Sequence, residues 1–210
     1  MFTATFDGPV RIADQAELQA RFGSDRIYLA PDATVVFEGG IIIGPEVSFS
    51  GDCQIMGSSR IDNGSLLTSV RLGRANHVRA YSILSDLVAG DRNLFGPFCF
   101  IRDNCRVGDD CILGAHVETA RSGFADGVKI SHRAFVGDAE VGRGSIIGAG
   151  VVFCNYDGLG RQATQIGAGV TIGSGSLLVP PLAVGDEAVV AAGSTVTKNL
   201  RAGARLIQKR

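Results

Sequence analysis

The chain has 210 residues, a formal net charge of −1 and 20% charged residues. That balance excludes a polybasic nucleic-acid or membrane-surface module, and no apolar run nears the roughly 18 residues of a membrane-spanning helix. Glycine is abundant at 29 residues and tryptophan is absent, while β-branched residues are plentiful, a composition suited to many short strands joined by tight turns. The opening "MFTATFDGPVRIAD" has neither a basic n-region nor an apolar run, and the five cysteines are an odd number. A soluble, cytoplasmic protein without a disulfide framework is therefore expected.

In chain order, "ADQAELQARFG" comes first as a short helix. Asp14 is placed to cap it, Glu17 follows three residues later, and Gly23 ends it. Beyond it the dominant signal is a period of six. Val35, Ile41, Val47 and Cys53 form one run, then Leu66, Leu72 and Val78, then Ile83, Ala89, Phe95, Ile101, Val107 and Leu113. After Val141, Ile147 and Phe153, a last run goes from Ile166 through Ile172, Leu178, Val184 and Val190 to Val196. Six is too short for a helix repeat and suits a flat triangular coil, with one strand and one corner per hexad. Three hexads close a turn of about 18 residues, and turns stack at the parallel-strand spacing of roughly 4.8 Å. The sixes break at the helix, between Leu113 and Val141, and in the polar stretch "CNYDGLGRQATQ" at 154–165, which should project as a loop. The expected division is an N-terminal segment over 1–30 and a β-helix domain over 31–210.

The hexads resemble those of the left-handed parallel β-helix family, and the resemblance supplies the hand. Five longer stretches occur in order: "FGPFCFIRDN", "GAHVETARSG", "SHRAFVGDAEVG", "IIGAGVVFCNYDG" and "VAAGSTVTKN". Together, over 83–207, they resemble the C-terminal acetyltransferase domain of the bifunctional glucosamine-1-phosphate acetyltransferase/N-acetylglucosamine-1-phosphate uridylyltransferases. The first 80 residues contain no glycine-rich nucleotide-binding opening like that of the uridylyltransferase half. The resemblance implies an acetyl-CoA-dependent N-acetyltransferase acting on an amino sugar, glucosamine-1-phosphate-like or nucleotide-linked. It also implies a homotrimer with sites shared between prisms, and no metal.

Under that resemblance His132 is the catalytic base. Acetyl transfer from a thioester needs a neutral amine and an acceptor for its proton, and imidazole titrates close enough to neutrality to serve. Glu118 would orient the ring, and a backbone N–H near His132 or Asn155 would face the developing oxyanion. Arg102, Arg161 and Phe135 fall at acceptor positions, the guanidiniums suiting an anion. Ala149, Asn155, Tyr156, Ser174, Ala192 and Lys209 fall along the coenzyme. Several family contacts are missing: a lysine position holds Ala120, with Arg121 beside it, a tyrosine position holds Phe135, and an asparagine position holds Ile146. The acceptor pocket is thus expected to be more apolar and its acceptor different or less tightly specified.

Two other readings stay open at this level. Three histidines, His77, His116 and His132, are the number a zinc hydrolyase of the γ-carbonic-anhydrase kind draws together between subunits. A non-catalytic β-helix assembly module is the other. Cys99, Cys105 and Cys111, spaced by six, would fall on three different sides of a coil, as small inward hydrophobes.

Overall fold

The computed structural model describes residues 1–208. The chain is a left-handed parallel β-helix of about ten turns with one short helix. Its first strand, β1 (Phe2–Ile12), leads into α1 (Gln15–Phe22), then β2 (Ile27–Leu29) and β3 (Thr34–Ile43). The carboxylate of Asp14 accepts the Glu17 N–H at 2.9 Å, and Gly23 closes α1 in the left-handed region. Leu18 and Phe22 turn into the end of the prism, where Phe6, Phe22, Phe37 and Phe49 form an aromatic plug. β1 lies antiparallel to β3, and every strand-to-strand pairing beyond it is parallel. Among the described residues no helix is long and apolar enough to cross a membrane.

Three flat faces follow from the hexads. On the first, Ile61, Val78, Phe95, Leu113, Ile130, Ile147, Ile172 and Val190 stack inward. On the second the inward stack includes Leu67, Leu84, Ile101, Thr119, Val136, Phe153, Leu178 and Val196. On the third it includes Leu72, Ala89, Val107, Phe124, Val141, Ile166 and Val184. Each buried aliphatic side chain contributes about 1.5–3 kcal/mol, and only stacking buries it.

Two expectations need correcting. Ile83 is 40% exposed while Leu84 is fully buried, and Leu66 likewise faces out with Leu67 inward. No break separates Leu113 from Val141: Thr119, Phe124, Ile130 and Val136 continue the inward stacks. Both slips have one cause. Many coils have 17 residues, because the corner between the second and third faces turns on one left-handed residue: Ser69, Asp86, Arg121 or Asp138. The coil carrying Ile101 uses two there, Asp103 and Asn104, and its step from Ile101 to Val107 stays at six.

The residue two before an inward one is also buried, as a small or polar residue in many coils and as Val or Leu in others. Cys99, Cys105 and Cys111 occupy it, each on a different side. Asn76 and Asn93 occupy it one above the other and bind the coils together. The Asn93 N–H donates to Asn76 Oδ1 at 3.0 Å, Asn93 Nδ2 donates to the Gly108 carbonyl at 2.9 Å, and Cys111 N–H donates to Asn93 Oδ1 at 2.7 Å.

Candidate active site

The corner between the first and second faces changes character part-way up. Its left-handed positions hold Tyr81, Phe98, His116, Arg133, Gly150, Gly175 and Gly193 in successive coils. The first three rings stack, with centroids 5.6 Å and 5.2 Å apart and planes within 8°. Above Arg133 the column becomes bare backbone, and a Cβ added at Gly175 or Gly193 would meet only open space. The neighbouring column is Ala115, His132, Ala149, Ser174 and Ala192. His132 lies directly above Ala115 in register, and the N–H groups of Gly150, Gly175 and Gly193 donate to the carbonyls of Arg133, Ala149 and Ser174. So Ala149, Ser174 and Ala192 form one exposed, small-residue strip that starts just above His132. The His132 ring is exposed and, among the described residues, makes no hydrogen bond or ion pair.

Two open clefts lie beside this corner on the second face. One, of about 540 Å³, is lined by His116, Glu118, Arg133, Ala134, Phe135 and Val152. The other, of about 480 Å³, is lined by Arg102, Arg121, Phe135, Asn155, Tyr156, Leu159, Gly160 and Arg161. Phe135 divides them. The 154–165 stretch forms the outer wall of the second cleft. Its turn is built on Asp157, which accepts the Leu159 and Gly160 N–H groups at 2.8 Å each and Gln162 Nε2 at 2.8 Å. Leu159, at the tip, is 97% exposed.

A chain of alternating charges crosses the floor between the clefts. Arg102 Nη2 donates to Glu118 Oε1 at 2.8 Å, and its Nη1 to Asp103 Oδ2 at 2.6 Å. Arg121 Nη1 reaches the same Asp103 oxygen at 2.6 Å and grips Asp138 through Nε and Nη2. Asn155 Nδ2 also donates to Asp138. Burial opposes ionisation of Asp138, but the bonds from Arg121 and Asn155 and the charges of Arg121 and Arg161 outweigh it and hold its carboxyl below the usual range. The Glu118 hydrogen bond drives Arg102 further into its protonated form, partial burial opposes this, and Asp103 adds to it.

Several site expectations change here. Glu118 does not hydrogen-bond to His132 within the chain: its carboxylate is taken by Arg102, because Phe100, Glu118 and Phe135 share one outward ladder on the second face while His132 stands at the corner. The Asn155 N–H is spent on the Phe153 carbonyl at 2.8 Å, so it offers no oxyanion donor. Ala120 is buried opposite Arg102, and Ile146 faces out on the first face, away from both clefts. Lys209 lies outside the described residues. Arg102, Arg161, Phe135, Asn155 and Tyr156 do meet in one cleft. Four residues not expected in an acyltransferase site also line or brace the clefts: His116 and Arg133 in the first, Arg121 in the second, and Asp138 bonded to Arg121. Asp138 stood in plain view as the aspartate of "GDAE". The histidines lie apart: His77 on the first face bonds Asp62 at 2.8 Å, His116 ends the aromatic column, and His132 is at the corner. Among the described residues no three His, Cys, Asp or Glu side chains gather as metal ligands.

Comparison with known proteins matches this architecture. The family described as "Hexapeptide repeat of succinyl-transferase" matches residues 163–198. Family match and fold agree that the chain carries hexapeptide repeats. It is 38% identical over 169 residues to the "Bifunctional protein GlmU" of Acaryochloris marina, covering 80% of this chain and 37% of that one. It is 38% identical over 190 residues to the protein of the same name from Cyanothece sp., covering 90% of this chain and 42% of that one. It thus spans about two fifths of these relatives' length. A crystal structure of a UDP-N-acetylglucosamine acyltransferase superposes with a TM-score of 0.51 at 15% identity, covering 84% of this chain and 66% of that one, a likeness of fold.

Proposed function

We propose that this protein is an acetyl-CoA-dependent N-acetyltransferase for an amino sugar bearing an anionic group. The observation that carries this is the corner itself: an unpartnered imidazole at the foot of a bare strip, beside a cleft holding three arginines. The coenzyme's pantetheine arm runs down the strip past Ala192, Ser174 and Ala149, delivering the thioester to His132. The sugar lies over Phe135, with its phosphate toward Arg161 and Arg102. Glu118 positions Arg102 by the hydrogen bond described, and Asn155 and Tyr156 line the cleft where the loop comes nearest the donor.

In the reaction, the amine lone pair attacks the thioester carbonyl while His132 takes an N–H proton. A C–N bond forms, the C–S bond breaks, and the proton passes to the departing thiolate. The similarity to the GlmU proteins supports this reading. A homotrimer belongs to it. The second face carries an outward ladder of Leu66, Ile83, Phe100, Glu118, Phe135, Val152 and Leu177. Its apolar members are large and partly or fully exposed. Packing three prisms about a threefold axis covers such faces and closes the open side of both clefts.

The test is His132→Ala, assayed by free-thiol release from acetyl-CoA with glucosamine 1-phosphate and with nucleotide-linked amino sugars. Turnover should fall by roughly 10²–10⁴-fold with the melting temperature unchanged. Undiminished turnover in that variant removes His132 as the base.

A further inference from the structure

Of the arginines lining the two clefts, two are neutralised and two are not. Arg102 is held by Asp103 and Glu118, and Arg121 by Asp103 and Asp138. Arg133 and Arg161 pair with no carboxylate among the described residues, and they stand in different clefts, on opposite sides of Phe135. Arg133 does not stand alone. Beside it in its cleft is His116, whose ring orientation is fixed by stacking on Phe98 at 5.2 Å and, through it, on Tyr81. An imidazole locked in this way presents a ring N–H at small entropic cost, and a free guanidinium is suited to bidentate capture of a planar carboxylate. The site therefore leaves open positive charge at two ends, separated by an aromatic floor.

We propose that the acceptor carries two acidic groups: a phosphate ester at the Arg161 end and a carboxylate read by Arg133 and His116. Its chemical class is an amino-uronic acid phosphate or its nucleotide-linked form. This rests on the acyltransferase reading and narrows its acceptor. It accounts for a polar contact being lost at Phe135 while His116 and Arg133 supply others in the cleft that Phe135 shares with them. An uncharged hydroxymethyl group in place of the carboxylate leaves Arg133 unneutralised once the cleft closes, which is costly.

The probes are a matched pair: glucosamine 1-phosphate and its counterpart with carbon 6 oxidised to a carboxylate, each with acetyl-CoA and free-thiol detection. The uronic probe should show kcat/KM at least about tenfold higher. Arg133→Gln should bring that ratio close to one, and Arg133→Lys should restore part of it. His116→Phe, which preserves the stack, should lower the ratio with no change in melting temperature. A wild-type ratio near one, or a ratio that survives Arg133→Gln, overturns the carboxylate subsite and leaves the acyltransferase reading standing. Thiol release with neither probe nor any other amino sugar takes down both.

Discussion

Arg121 and Asp138 sit one coil apart at the same corner and meet through two near-parallel bonds, Nε to Oδ1 at 2.7 Å and Nη2 to Oδ2 at 3.1 Å. Asp138 also accepts from Asn155 at the start of the projecting loop, and its carbonyl accepts the Thr164 N–H at 3.0 Å at the loop's end. One residue thus ties a cleft arginine to both feet of the loop.

Acid should expose this tie. The Asp138 carboxyl is depressed below its unfolded value, so its contribution is complete above the unfolded pKa, near 4, and is lost as pH falls through the folded one. Melting temperatures of the wild type should therefore decline on acidification below about pH 4. Asp138→Asn should be less stable at pH 7, and its difference from the wild type should shrink at the acid end. A constant difference from pH 7 to pH 3 contradicts this.

Alkali should act through Cys99. Burial pushes its thiol up to about 11, against about 8.5 in an unfolded chain. An acid that ionises more readily when unfolded costs stability as pH rises from the unfolded value to the folded one. The expected loss is on the order of 3 kcal/mol by pH 11, and Cys99→Ala should remove that part of the slope. Native alkylation at pH 8 should label Cys154, the only half-buried thiol among the five, and leave the four buried ones for denatured protein. Early labelling of Cys99 in the mass spectrum is the adverse result.

Asn93→Ala should destabilise without touching the site. It strands the Gly108 carbonyl and the Cys111 N–H inside the prism. Two buried unpaired groups cost about 2–4 kcal/mol, a drop in melting temperature on the order of 5–15 °C. A melting temperature equal to that of the wild type shows that water replaces the side chain.

Ser174→Phe should obstruct the bare strip. Ser174 is exposed and lies between Ala149 and Ala192, so the ring has room to stand without disturbing the core. KM for acetyl-CoA should rise at least about tenfold with melting temperature and kcat nearly unchanged. An unaltered KM places the coenzyme elsewhere.

The sixes made the prism legible because each inward aliphatic residue has no other place to bury itself. They misplaced Ile83 and Leu66 because the corners at Ser69 and Asp86 close in five residues and not six, and polar side chains such as Asp86 and Asp103 serve both kinds of corner. Thr119 hid a regular coil for a similar reason: it is a polar residue in an inward position, where its hydroxyl meets Cys105 Sγ at 3.2 Å. Of the candidate site, the motifs singled out His132 and the small-residue strip, which the fold stacks at one corner. Arg133 and His116 were not singled out, because nothing in their local sequence tells that a stack three coils tall ends beside an unpaired guanidinium. The orientation of Glu118 was likewise settled by a partner 16 residues away, in the coil below.

The antiparallel course of β1 has a consequence for assembly. A solenoid with an open first coil offers a parallel edge onto which another molecule's last coil can add, and so on without limit. Here that first edge is occupied by a strand of the wrong polarity, and the aromatic plug beneath α1 seals the cross-section. A parallel coil from another molecule therefore meets a strand of mismatched polarity at that edge.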